Sequence, residues 1–373
     1  IEGAKVLLVE STDKVGGTTA YSAATTWVPG THLAPQVNQD DTLDNAATFL
    51  DNAVGPRSPR SAREALLANG AMAVKTIEQH SHVKYRIRPF HPDYLSELEG
   101  STLCGRALEP LPFDGRLLGD DFDLVRPPIA EFMVLKGMMV DRDDIPHMLG
   151  WSRSLESTLY VMNVVARHLM DRLRHPRGTR LLMGNALIGR LLLSLKERGV
   201  TLLTEATATA LERGASGVEA ITIEQRGVNK RIAVRGGVVL ASGGFNRHPQ
   251  RRAQLLPGAD LQWCPGAPGH TGTAHDLAES VGAVYGKGAM SNAFWAPVSL
   301  RQRADGSTAV IYDVTPRDTK RGGASRLVTQ RFAPDGSASA FEASPRQRLG
   351  PSARLRPARV GRSAGADARG MRV

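Results

Sequence analysis

The run Lys5–Glu10, KVLLVE, followed closely by Gly16-Gly17-Thr18-Thr19-Ala20-Tyr21-Ser22, constrains the fold more than any other stretch of this chain. The run is too short for a helix and too continuous for a half-exposed strand. It predicts a parallel strand buried on both faces. Gly3 just before it suits the left-handed residue that ends a helix. The chain therefore reads as opening on the end of a helix, with the first βα unit of such a domain expected upstream of Ile1. Glu10 closes the strand where an acid can accept hydrogen bonds from a ribose, although a solvated strand end explains it equally. The two glycines let backbone amides approach a phosphate and the hydroxyls add donors; a plain polar turn is the competing reading.

Helical spacing follows at 42–53 and at 61–79, the latter carrying Ala62, Leu66, Leu67, Val74 and Ile77. Residues 85–131 are rich in Pro, Gly and charge and are expected to loop over a surface. A helix is predicted within 151–173 and another over 184–198, where Leu187, Ile188, Leu191, Leu192 and Leu195 share a face and Gly199 is the stop. Short strands are then expected at Thr201–Thr204, Thr207–Glu212, Val218–Gln225 and Lys230–Val234, with Gly214, Gly217 and Gly227 in the turns, as in a meander. Gly237–Ala241 reads as a second buried strand running into the bend Ser242-Gly243-Gly244-Phe245, and Pro268–Thr273 offers a third glycine bend. The order implies an α/β nucleotide-binding domain with an attached β-meander.

A net charge of +10 would suggest a polyanion partner if it were spread over the chain. It is not. Residues 321–373 hold 11 Arg and 3 acids, which leaves 36 of the 47 bases against 34 of the 37 acids for residues 1–320. The body is nearly neutral, and it gives no sign of nucleic-acid binding. Residues 321–373 lack Lys and any period, and read as a disordered Arg-rich tail. Such a composition also arises when a GC-rich gene is read out of frame, and both readings stand.

Other chemistries find little support. His80/His82, His91 and His270/His275 lack carboxylates or cysteines at ligand spacing, so no metal is expected. Cys104 and Cys264 read as two reduced thiols of a cytoplasmic enzyme. No P-loop string occurs, and Gly361–Gly365 matches GxSxG without the strand and helix a nucleophile elbow needs. No run approaches the ~18 apolar residues of a membrane span.

VLLVESTDKVGGTTAYSAATTWVPG (6–30) resembles the segment after the first helix in flavoproteins of the fumarate reductase and 3-ketosteroid dehydrogenase superfamily. LASGGF (240–245) is similar to their ATGGF turn, and APGHTGTAHDLAESVGA (267–283) to their APGNTGDG-type segment. PFHPDYLSELEG (89–100), GRALEPLPFDGRLLG (105–119) and NAFWAPVSL (292–300) point to the ketosteroid dehydrogenase branch. The resemblance implies a Rossmann-like FAD-binding domain with β-meander over 1–285 and the beginning of an α+β substrate-capping domain over 286–320. It implies FAD as cofactor, with Glu10 on the ribose, Gly16, Gly17, Thr18, Thr19 and Ser22 along the pyrophosphate and flavin, and Ser242, Gly243 and Gly244 flanking them. Tyr94 falls where the steroid enzymes carry a catalytic tyrosine. The implied reaction desaturates a carbon–carbon bond next to a ketone, on a small hydrophobic ketone, with hydride passing to flavin N5 and the proton to tyrosine. A non-catalytic remnant of such an enzyme, and a fumarate-reductase-like flavoprotein, are the alternatives. The sequence departs from the family where Thr273 and Ala274 replace the Asp and Gly of the third bend.

Overall fold

The computed structural model describes residues 3–286 except Ser216 and Ala259, then Asn292, residues 298–312, and strands 327–332 and 338–342. Helices and strands are mixed throughout. The helices are α1 (Leu43–Ala53), α2 (Arg60–His80), α3 (Asp144–Gly150), α4 (Leu155–Asp171), α5 (Met183–Glu197), α6 (Pro249–Leu255) and α7 (Thr273–Ser280). Thr42 caps α1 by accepting from the Asn45 N–H at 3.1 Å, as an N-cap hydroxyl should.

β1 (Leu7–Val9) precedes three strands, β2 (Thr26–Trp27), β3 (Tyr85–Ile87) and β4 (Ala107–Pro110), which form a small antiparallel sheet. Three two-residue pieces, β5 (Phe113–Asp114), β6 (Met133–Val134) and β7 (Met138–Met139), lead to β8 (Arg180–Leu181), which pairs with β5. β9 (Thr201–Leu203) lies parallel to β1, with Leu7 opposite Thr201 and Val9 opposite Leu203. β10 (Ala206–Arg213), β11 (Val218–Gln225) and β12 (Val228–Ala233) are the meander that the turn glycines predicted. β13 (Val298–Gln302), β14 (Thr308–Tyr312), β15 (Leu327–Phe332) and β16 (Ala338–Glu342) form a four-stranded sheet in the order β14-β13-β15-β16. β15 and β16 fall inside the segment that composition marks as a tail; residues 343–373, including the GxSxG match, lie outside the described residues.

The main core gathers around α5. Ala186, Leu192 and Leu193 of that helix pack on Val15, Phe113, Leu118, Phe122, Val125, Leu181 and Leu182. Four of these come from 113–125, so the stretch expected to loop over a surface instead supplies core. Its apolar residues are spaced too irregularly for either period, so their burial is decided by the packing of distant segments. Gly199 stops α5 as expected: its φ is +64°, and its N–H donates to the Lys196 carbonyl at 3.0 Å.

Two features run against simple patterning. Gly237–Ala241 forms no strand, and Val239 is 90% exposed. A parallel strand exists only through its neighbours, and among the described residues neither this run nor the outer edge of β1 has one. Helix α4 is inverted: Ser157, Val164, His168 and Asp171 face inward, while Leu155, Leu159, Met162 and Leu169 are exposed at helical spacing. Among the inward polar groups, His168 reaches the Leu135 carbonyl through Nε2 at 3.0 Å while its Nδ1 is without a partner among the described residues. Asp171 accepts from the N–H and hydroxyl of Thr179, both at 2.8 Å, and the Tyr160 hydroxyl donates to buried Asp144 at 2.6 Å. Burial, then the Asp144 carboxylate, push Tyr160 up to about 12. No helix among the described residues is long and apolar enough to cross a membrane.

Leu181→Ala is expected to cost ~2–5 kcal/mol of stability, since Leu181 is fully buried. Leu159→Lys, at a 58% exposed position, should stay within about 0.5 kcal/mol and leave the sedimentation coefficient of a folded chain in place. Thermal denaturation and sedimentation velocity of the two variants check both.

Candidate functional site

The end of β1 is fixed by its own ladder: the Glu10 N–H donates to the Leu203 carbonyl at 2.8 Å. Glu10 Oε1 then accepts from the Thr12 N–H at 2.8 Å and lies 2.7 Å from the Thr12 hydroxyl. That hydroxyl accepts in turn from Arg126 at 2.6 Å. Arg126 is 7% exposed, and its Nε is buried without a hydrogen-bond partner. Val15 locks the segment to residues 124–126, its N–H donating to Leu124 O at 2.8 Å and its carbonyl accepting from the Arg126 N–H at 3.0 Å.

Gly16 takes φ +111°, a conformation that L side chains rarely adopt, and opens the 3-10 turn Gly17–Tyr21. This turn sits on the amino end of α5. The Gly184 N–H donates to Ser22 O at 3.0 Å, and the Asn185 amide, fully buried, donates to Ala20 O at 2.8 Å. A Cβ on Gly184 would lie 1.8 Å from Thr19 O, so only glycine permits this approach. On the other side, the Thr18 hydroxyl accepts from the Ala267 N–H at 3.0 Å and lies 3.3–3.4 Å from both ring nitrogens of His270.

The second and third bends close on the same point. Gly243 has φ +79°, and a Cβ there would lie 2.7 Å from His270 Nε2; at Gly17 the same distance is 3.6 Å. At Gly269 a Cβ would lie 3.4 Å from Ser11 Oγ and 3.7 Å from Glu10 Oε1. Arg247 braces the third bend by donating to Gly266 O at 2.6 and 3.0 Å. Burial, then Arg247 and Arg126, hold His270 below the usual imidazole range, while Glu10 opposes them. Beyond Gly243 opens a cleft of about 210 Å³ lined by Leu240, His275, Ala278, Val284 and Tyr285. It is smaller than the ~300–1,000 Å³ of a typical ligand pocket.

The structure thus brings Glu10, Gly16, Gly17, Thr18 and Gly243 to one crevice. Gly244 adjoins it, with its Cβ position 3.1 Å from Asn246 Oδ1. Thr19, Ser22 and Ser242 belong to the same bends but are exposed, and the Ser22 hydroxyl is spent on Thr19 O at 2.9 Å. Tyr94 is 100% exposed. Its neighbour Asp93 is locked inward by Arg106 at 2.9 Å and by the Trp27 indole at 2.7 Å, which fixes the loop but leaves the phenol in solvent. Sequence reasoning missed Arg126, Asn185 and Thr12 as crevice residues. An arginine before Pro127-Pro128 carries no local signal, and only the fold buries it.

Residues 1–337 match the family described as "FAD binding domain". The chain belongs to that family. Among relatives of this FAD-binding chain, 4-oxocyclohex-2-ene-1-carboxylate 5-dehydrogenase of Sinomonas cyclohexanicum is 28% identical over 308 residues, 82% of this chain and 52% of its own length. A 3-oxosteroid 1-dehydrogenase of Mycolicibacterium smegmatis is 30% identical over 304 residues, 79% of this chain and 52% of its own. Among solved structures, the 3-ketosteroid delta1-dehydrogenase of Sterolibacterium denitrificans, in complex with 1,4-androstadiene-3,17-dione, superposes with a TM-score of 0.71 at 28% identity, covering 83% of this chain and 55% of that one. The FAD-binding chain spans about half the length of the curated relatives it matches.

The residues present fit FAD. Glu10 offers a carboxylate to ribose hydroxyls, Arg126 keeps a buried Nε without a hydrogen-bond partner among the described residues, and bare backbone at Gly17 and Gly243 admits close approach. Gly184→Ala is expected to displace the 16–22 turn, lowering both thermal stability and flavin retention. Gly236→Ala, with nothing within 4 Å, should leave both unchanged. Thermal midpoints with and without added FAD separate the two.

Proposed function

We propose that this chain is the cofactor-binding part of a flavin-dependent dehydrogenase that desaturates a carbon–carbon bond beside the ketone of a hydrophobic, 3-ketosteroid-like substrate. The observation that carries the reading is the convergence at one crevice of three glycine bends, Glu10 and Arg126, whose buried Nε has no hydrogen-bond partner among the described residues. The names of the relatives and of the steroid-bound neighbour support the reaction class. On this reading β1 and β9 are part of a Rossmann-like sheet, and β13 and β14, within 286–320, belong to the beginning of the substrate-capping domain, tied back where Arg303 donates to Glu131 at 2.8 and 3.1 Å. The two free thiols suit a cytoplasmic enzyme.

Each group then has a task. Glu10 holds ribose hydroxyls, and Arg126 and the Gly16–Thr18 amides meet the phosphates. Bound FAD supplies a hydride acceptor. Tyr94 takes the acidic proton beside the ketone, and this requires that residues of the capping domain exclude water from its phenol when substrate is bound. A second reading, a remnant that binds no flavin tightly, draws on the edge of β1 that has no neighbour among the described residues and on the exposure of Val239.

Purified protein should be yellow and release flavin absorbance on denaturation; a colourless product supports the remnant. In the flavin-loaded protein, Tyr94→Phe should retain the absorbance while lowering turnover of a 3-ketosteroid with a dye acceptor by ~10²-fold or more. Unchanged turnover would remove Tyr94 from the mechanism.

A further inference from the structure

The His270 ring occupies the junction of all three bends. Its Nε2 is 2.7 Å from the Cβ position of Gly243 and 3.6 Å from that of Gly17, and the Thr18 hydroxyl faces both ring nitrogens at 3.3–3.4 Å. Its main chain is pinned: the carbonyl accepts from the Arg247 N–H at 2.8 Å, and the N–H donates to Ala267 O at 3.3 Å. Movement is therefore left to the side-chain torsions. The charged groups that act on the ring are Arg247 and Arg126 on one side of the balance and Glu10 on the other. Half-burial and two cations keep the ring neutral in the free protein at neutral pH.

A doubly charged pyrophosphate held at this crevice would reverse that balance. It would offset the field of Arg126 and Arg247 and offer an acceptor to the ring N–H, which favours the imidazolium. We propose that His270 is a contact residue for the FAD phosphates and that the chain takes up one proton there as the dinucleotide binds. The proposal rests on the reading of the crevice as an FAD site. The sign follows from linkage. The free-state pKa is depressed and the bound-state pKa is raised, so between them binding consumes a proton. In that window affinity rises up to tenfold for each unit that pH falls, and it is flat outside.

The test is titration calorimetry of the full chain with FAD at near-neutral pH, in two buffers of different ionisation enthalpy. The difference in heat reports the protons taken up. Wild type is expected to take up a substantial fraction of one proton, and His270→Asn none, with a dissociation constant that no longer varies with pH in this window. Binding without proton uptake in the wild type overturns the proposal while leaving the FAD reading intact. So does an Asn variant that keeps the wild-type uptake. No binding at any pH overturns the FAD reading and the proposal with it.

Discussion

The approach of the Gly16–Ser22 turn to the amino end of α5 sets the position of everything else in the crevice. Gly184 lets the two backbones meet, and the Gly184 and Asn185 donors tie down the Ser22 and buried Ala20 carbonyls of the turn. Because α5 is also the centre of the main core, the turn inherits the rigidity of Phe113, Leu118, Phe122 and Leu181 beneath it. A ligand site built this way owes its precision to apolar packing more than to its own hydrogen bonds.

Among the described residues the buried arginines are satisfied to different degrees. Arg106, 1% exposed, is met by Asp41 and Asp93 and by the Gly100 carbonyl, so its burial is fully compensated. Arg126 is nearly as buried but keeps Nε without a partner, beside Glu10 and the third bend. Arg177 is equally buried and also keeps Nη1 without a partner, over the Phe122 ring of the core, so what distinguishes Arg126 is its place beside Glu10 and the glycine bends.

Among the described residues, the outward stripe of α4 is more apolar than a solvated surface usually is, and Val6, Leu8, Val239 and Leu240 are exposed as well. Leu240 lines the cleft beside Gly243. Sheet pairing is what would turn Gly237–Ala241 from an exposed run into the buried strand its composition suggests.

Local chemistry alone was enough to place β1, the α5 stop at Gly199, the meander and the three glycine bends, because each rests on a short-range rule: an apolar run, a left-handed residue, alternation with turn glycines. The core role of 113–125, the inversion of α4 and the unpaired state of 237–241 were not legible, since burial there depends on which distant surface the chain meets. The same holds at the crevice. Glu10, Gly17 and Gly243 could be named from their positions after apolar runs, but the buried Arg126 and the wedged ring of His270 could not. Whether a charge is solvated or sealed beside another bend is decided by long-range packing, and no neighbouring residue along the chain records it.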